Sequence, residues 1–161
     1  MRRTRWQTLL VVTLVVGVLA AMLTTWLDRS GPGMPNVPWL VVAVEVLIAA
    51  VVFSMGWAVR QYLRGKRPTL DPIRAARTAV LAKAACYTGA LLAGWYGGQM
   101  VAHLAAALPG AGGRAGSAAV AAGGAVVLAG VGLLVERFCR IPPPSDDDKE
   151  TERATPDPAA T

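Results

Sequence analysis

The chain has one histidine, two cysteines and ten carboxylates among 161 residues. That scarcity excludes a good deal of chemistry. A catalytic metal site draws three or four ligands, mostly His, Cys and carboxylate. One His and two distant Cys do not build one, so no metal and no cofactor are expected. Cys86 and Cys139 form no Cys-x-x-Cys pair. Both fall toward cytosolic helix ends in the topology below, where a disulfide is disfavoured. They read as small buried hydrophobes. The His-Glu-x-x-His helix, the Gly-x-Ser-x-Gly elbow, the phosphate-binding loop and the dinucleotide fingerprint are all missing from the sequence. The expectation is a protein that is not an enzyme.

Charge is also scarce. Charged residues make up 16% of the chain and hydrophobic ones 54%, with a mean hydropathy of +0.45. Soluble domains carry about 25% charged residues, spread over their surface. Here the charges cluster between four apolar blocks that have no polar face, a pattern suited to lipid. The net charge of +6 could point to nucleic acid. Nearly all the Lys and Arg residues instead stand just outside an apolar block, where the positive-inside rule accounts for them. No nucleic acid partner is expected.

The reading is an all-α integral membrane protein with four transmembrane helices at about 6–27, 38–60, 76–108 and 116–138. These form a domain over 1–140, and a disordered acidic tail follows at 141–161. Trp6 to Leu27 holds no charge and spans about 30 Å at 1.5 Å per residue, the hydrocarbon thickness of a bilayer. A cleaved signal peptide is the competing reading, with Val18-Leu19-Ala20 as the cleavage site. The apolar run continues past that site to Trp26, beyond the about 7–15 residues of a signal core, which favours an uncleaved helix. Asp28 to Pro38 and Pro109 to Gly116 read as short outer turns. Asp71-Pro72 reads as a helix start, an acceptor side chain followed by a proline set for the first turn. The tail, IPPPSDDDKETERATPDPAAT, is polar and proline-rich without periodicity.

Basic residues orient the chain. Those at 2, 3, 5, 60, 64, 66, 67, 74, 77, 83, 137 and 140 lie on one side or near it, and Arg29 and Arg114 lie on the other. Both termini are therefore expected in the cytosol, in a multi-pass protein of the plasma membrane. The 60–77 basic loop is positioned to meet anionic lipid, at about 1 kcal/mol per basic residue.

Small residues recur at i+4 spacing in every helix and invite close packing. The stripes are Thr13, Gly17, Ala21, Thr25; then Ala50, Ser54, Ala58; then Ala90, Gly94, Gly98, Ala102; then Ala121, Ala125, Ala129. Gly94-x-x-x-Gly98 stands out among them. On a helical wheel Lys83, Tyr87, Ala90, Gly94, Gly97 and Val101 share one face of the third helix. Tyr96, Gln99 and His103 fall close to the opposite face. The stripes do not say whether they pack within one chain, against a second copy or against another membrane protein.

Ionisable groups inside a bilayer are costly and mark functional candidates. Glu45 lies about 10 Å below the outer boundary, counting from Trp39. Gln99 and His103 lie about 24 and 30 Å above Lys83, which marks the inner boundary. Glu45, Gln99 and His103 thus form a candidate intramembrane polar site. One reading makes Glu45 a titrating group of a proton or cation path. The quieter reading has Glu45 neutral and hydrogen-bonded, His103 interfacial and Lys83 snorkelling to headgroups. Without a broken helix or a second carboxylate, the quieter reading leads.

The run RAARTAVLAKAACYTGALLAGWYGG resembles a family of small four-helix membrane proteins of unknown function from actinobacteria. The matching residues are Arg77, Leu81, Ala82, Lys83, Ala84, Gly89, Gly94 and Trp95, and the likeness covers roughly 1–140. It implies the four-helix plan and a gene located near folate-biosynthesis genes; it implies no activity. Two functions remain open. The first is a non-enzymatic membrane protein that packs with a partner or with itself. The second is a small proton-coupled transporter or exporter using Glu45. Small multidrug exporters share the helix count, but their glutamate is in the first helix and Glu45 is in the second.

Overall fold

The computed structural model describes residues 6–31, 35–63, 72–106 and 110–138. The basic N-terminus, Asp71 and most of the basic loop, Cys139 and the acidic tail lie outside the described residues. Four helices follow in order: α1 (Trp6–Ser30), α2 (Trp39–Leu63), α3 (Pro72–Ala105) and α4 (Ala111–Phe138). No strand occurs among the described residues. Helices suit these apolar runs because every backbone bond closes within the segment, which a lipid solvent requires. Three helices are long and apolar enough to cross a membrane: α1, α2 over Trp39–Gln61, and α4. Their outward faces carry large exposed hydrophobics such as Leu14, Met22 and Trp39.

The helices do not pack in chain order. α3 touches all three others, most extensively α4 and then α1. α2 rests mainly on α4 and less on α3, and α1 meets α3 alone. The lateral order is therefore α1, α3, α4, α2. This explains why α3, with 34 residues the longest, is the least apolar. Neighbours cover much of its surface, so Gly, Thr, Gln and His stand where a lipid-facing helix would need hydrocarbon.

α1 runs parallel to α3, and the contacts advance in step. Leu9 packs with Cys86 and Ala90. The Thr13 hydroxyl donates to the Ala90 carbonyl at 3.1 Å. Gly17 lies on Gly94, and Ala20 and Ala21 lie on Gly98. The α3 partners are four residues apart, so the line of contact turns by about 40° at each step. This is packing along i±4 ridges, whose typical crossing angle is about −50°. α3 and α4 are antiparallel: Ala82 and Cys86 meet Gly132, while Gly89 meets Ala125 and Ala129. α2 and α4 are parallel, with Glu45 on Gly124 and Gly56 on Val135. At the far end of that pair the Arg60 guanidinium sits 4.5 Å from the Phe138 ring centre and 5.3 Å from that of Trp57.

Three sequence expectations change. The Ala50, Ser54, Ala58 stripe of α2 points outward, with Ala50 and Ser54 exposed. The buried positions are Glu45, Ala49, Val52, Gly56 and Val59. Small size alone does not choose a face. A helix packed on one side chooses the face that fits, and the Val135 side chain needs the notch at Gly56. Next, Ala111 to Gly116 is not a turn but the start of α4. Ala111 and Ala115 are buried against the other helices, in a turn where each helical glycine costs roughly 1 kcal/mol. Gly110, at φ 80°, makes the bend that precedes it. Finally, α1 continues through Asp28 to Ser30 and stops at Gly31, whose φ of 99° is the left-handed conformation of a helix terminus.

Candidate functional site

The two flanks of α3 differ in how they are closed. On the α1 flank the backbones touch. A Cβ at Gly94 would lie 2.5 Å from the Thr13 carbonyl oxygen, and one at Gly98 would meet the Gly17 carbonyl oxygen. Gly17, Gly94 and Gly98 thus pack within the chain, and α1 occupies the glycine face. On the α2 flank the lower part is closed by Ala49 and Val52 against Ala82 and Ala85, with Leu128 of α4 behind them. Alongside this contact the helices leave a groove of about 430 Å³. Val41, Val44, Ile48, Leu81, Ala84 and Leu92 are among its walls, and Leu128 reaches it from α4.

Glu45 belongs to that groove. The residue is 3% exposed, and neither carboxyl oxygen has a hydrogen-bond partner. One oxygen rests against Gly124 of α4, where a side chain would collide with it. Tyr96 of α3 is within electrostatic range but makes no hydrogen bond to it. A carboxyl group here needs a partner in either protonation state: ionised it is an acceptor, and neutral it is a donor as well. In a medium without water an unmet group of this kind costs several kcal/mol. Thr88 is the other polar residue lining the groove, and no basic side chain lines it.

The expected grouping of Glu45, Gln99 and His103 divides. His103 Nδ1 is 3.6 Å from Asp28 Oδ2, with the two side chains 2% and 8% exposed. The pair joins α3 to the last turns of α1, which does not touch α2. The wheel sets His103 away from the glycine face. Because α1 winds round α3 as it rises, its end reaches His103 nonetheless. Gln99 is buried one turn below His103 and is not hydrogen-bonded to Glu45. Lys83 is half-buried near the other end of α3, at the level of Glu136 of α4, and both take part in polar or electrostatic interactions.

Asp28, read from the sequence as the first residue of the outer turn, instead continues an i+4 stripe with Ala20 and Thr24, both buried. Gly124 gave no such signal, because Gly123 beside it faces open space. Two further hollows, one between α2 and α4 near Trp39 and one along the outside of the α1–α3 seam, contain no ionisable side chain. No group of three metal-ligating side chains occurs among the described residues.

Residues 9–143 match the model of a family described as Protein of unknown function (DUF3180). The chain belongs to that family. The matched region takes in nearly all of α1 and the whole of α2, α3 and α4, so the groove, Glu45 and the glycine seam fall inside it. No curated protein and no solved structure matches the chain.

Proposed function

We propose that the chain is a non-enzymatic integral protein of the plasma membrane that binds a membrane-embedded partner along the open flank of α3. Four spans with both termini in the cytosol fit the alternating directions of the helices and the basic residues on one side. α3 is the third span, admitted by its burial among the other helices. The basic loop at 60–77 then meets anionic headgroups of the inner leaflet.

The observation that carries this reading is the groove between α2 and α3. It is apolar, none of the described helices fills it, and its wall holds a buried carboxyl group that lacks a hydrogen-bond partner. The Gly94 and Gly98 face is a poor candidate for joining a second copy, because α1 already lies on it. The test is purification of the full chain from its native membranes in mild detergent. Ala84→Trp, which fills the groove, changes what co-purifies; an outward substitution such as Val126→Trp on α4 does not. An unchanged set of companions with Ala84→Trp contradicts the reading.

A second reading, proton-coupled transport, draws on the same unpartnered carboxyl group. It expects pH-driven flux in liposomes that Glu45→Gln abolishes.

A further inference from the structure

We propose that Arg60, held against Trp57 of α2 and Phe138 of α4, is a binding site for the phosphate of an anionic phospholipid headgroup. The inference rests on the reading of the chain as a membrane protein whose basic side meets anionic lipid, and it names the group that grips the headgroup.

Depth sets the place. From Trp39 to Arg60, α2 rises about 31 Å, one hydrocarbon thickness. With Trp39 at one interface, the guanidinium stands at headgroup level on the other. α2 and α4 both end near this level, and Arg60 lies across the seam between them.

The rings set the geometry. The guanidinium carbon is 4.5 Å from the Phe138 ring centre and 5.3 Å from that of Trp57, inside the roughly 6 Å reach of a cation–π attraction. Phe53 lies against Trp57 with 5.9 Å between ring centres. Arginine carries its five N–H donors in the guanidinium plane. A ring on the face leaves that edge for a ligand, and a fork already held in place loses little freedom on binding. Among the described residues Arg60 has no ion pair. The described carboxylate at this level, Glu136, is half-buried and acts on Cys86 of α3 instead.

Charge and shape choose the ligand. A planar fork of donors matches two phosphate oxygens at once. A carboxylate would match as well, but the anion that a bilayer presents at this depth is the lipid phosphate. Arg137, exposed on the last turn of α4, adds a second positive charge. The C-terminal ends of α2 and α4 bring about −0.5 of a charge each, which the two arginines outweigh. A zwitterionic headgroup would bring its own cation to this pair. The ring faces that could take a quaternary ammonium already hold Arg60. A lipid of net negative charge is therefore preferred.

The test uses the full chain in micelles holding equal parts of phosphatidylglycerol and phosphatidylcholine. Native mass spectrometry reads which lipid stays on the chain, and a denaturant titration reads folding. The wild-type chain retains phosphatidylglycerol about tenfold over phosphatidylcholine, the scale of one charged hydrogen bond. Arg60→Gln loses most of that preference. Arg60→Lys, which keeps the charge without the fork, loses about half or more. Phe138→Leu keeps every charge and loses a similar share, because the guanidinium is no longer held; it decides the matter if Arg60→Gln fails to fold. Arg74→Gln removes one charge from the basic loop and leaves the preference within about twofold. Equal losses in Arg60→Gln and Arg74→Gln overturn the site and leave the basic loop's attraction standing, as a general field of charge. A full preference in Arg60→Gln overturns the site as well. No preference in the wild-type chain overturns both. If glycerol phosphate at the same concentration displaces the lipid, the site takes phosphate from solution and the lipid is overturned.

Discussion

The α1 flank and the α2 flank of α3 are built from the same kind of sequence, small residues among Val and Leu, and close in opposite ways. On the α1 flank, glycine faces glycine: Gly17 lies on Gly94, and Gly98 lies under Ala20 and Ala21. The backbones come into contact, and the hollow beside them runs along the outside of the seam. On the α2 flank, α2 leans on α4, where Val135 fits the notch at Gly56 and Glu45 rests on Gly124. That attachment leaves a groove between the first half of α2 and the Leu81 to Leu92 stretch of α3. Backbones touch where both partners present small residues at the same level. Ala84 and Thr88 of α3 are small, but Val44 and Ile48 on the facing wall are not, and the flank stays open.

The sharpest way to break this contrast is Gly98→Leu. The added side chain displaces the α1 backbone at Gly17, with an expected loss of about 3 kcal/mol or more. A denaturant titration in mixed micelles reads it as a drop in the unfolding midpoint. Next in size, and opposite in sign, is Glu45→Leu. Replacing a buried carboxyl group without partners should stabilise the fold by about 2 kcal/mol. The same titration checks it, and a destabilised variant would mean that the carboxyl group holds α2 in place. His103→Leu removes one half of the buried pair that ties the C-terminal ends of α1 and α3. The expected loss is about 1 kcal/mol, smaller than that of a close hydrogen bond because the two atoms are 3.6 Å apart. Smallest is Ala84→Trp. It places an indole in space that is already empty, so stability should change by no more than about 0.5 kcal/mol.

Much of this architecture was readable from residues. The run Trp6–Leu27 has no charge and the length of a bilayer, and α1 covers it. Gly94-x-x-x-Gly98 has the spacing of a close helix contact and sits in one. The shape of the α2 side was not readable. The spacing of Ala50, Ser54 and Ala58 is as regular as that of Gly17 and Ala21, and those residues face outward. Which stripe is used depends on what the partner presents. Periodicity in one helix holds no record of Val135 or Gly124 in another. The division of the polar residues was hidden for a related reason. Depth along the membrane put Glu45 near Gln99 and His103, but depth does not fix lateral position. The lateral order α1, α3, α4, α2 sets His103 against Asp28 of α1 and Glu45 against Gly124 of α4.

Oxidative cross-linking in the membrane tests the difference between the flanks most directly. A disulfide forms only when the two Cα atoms are about 4.4–6.8 Å apart. Leu9→Cys, with Cys139→Ala to remove the other thiol, places a cysteine against the native Cys86 across the closed flank. Val44→Cys with Leu92→Cys, in a Cys86→Ala and Cys139→Ala background, places a pair on the two walls of the groove. The account predicts that the first pair forms a disulfide readily. The second pair should remain unlinked under oxidation and be bridged by a bifunctional reagent with a spacer of about 10 Å, roughly one helix width. A groove pair that oxidises as fast as the α1 pair would contradict it, because α2 would then lie closed against α3.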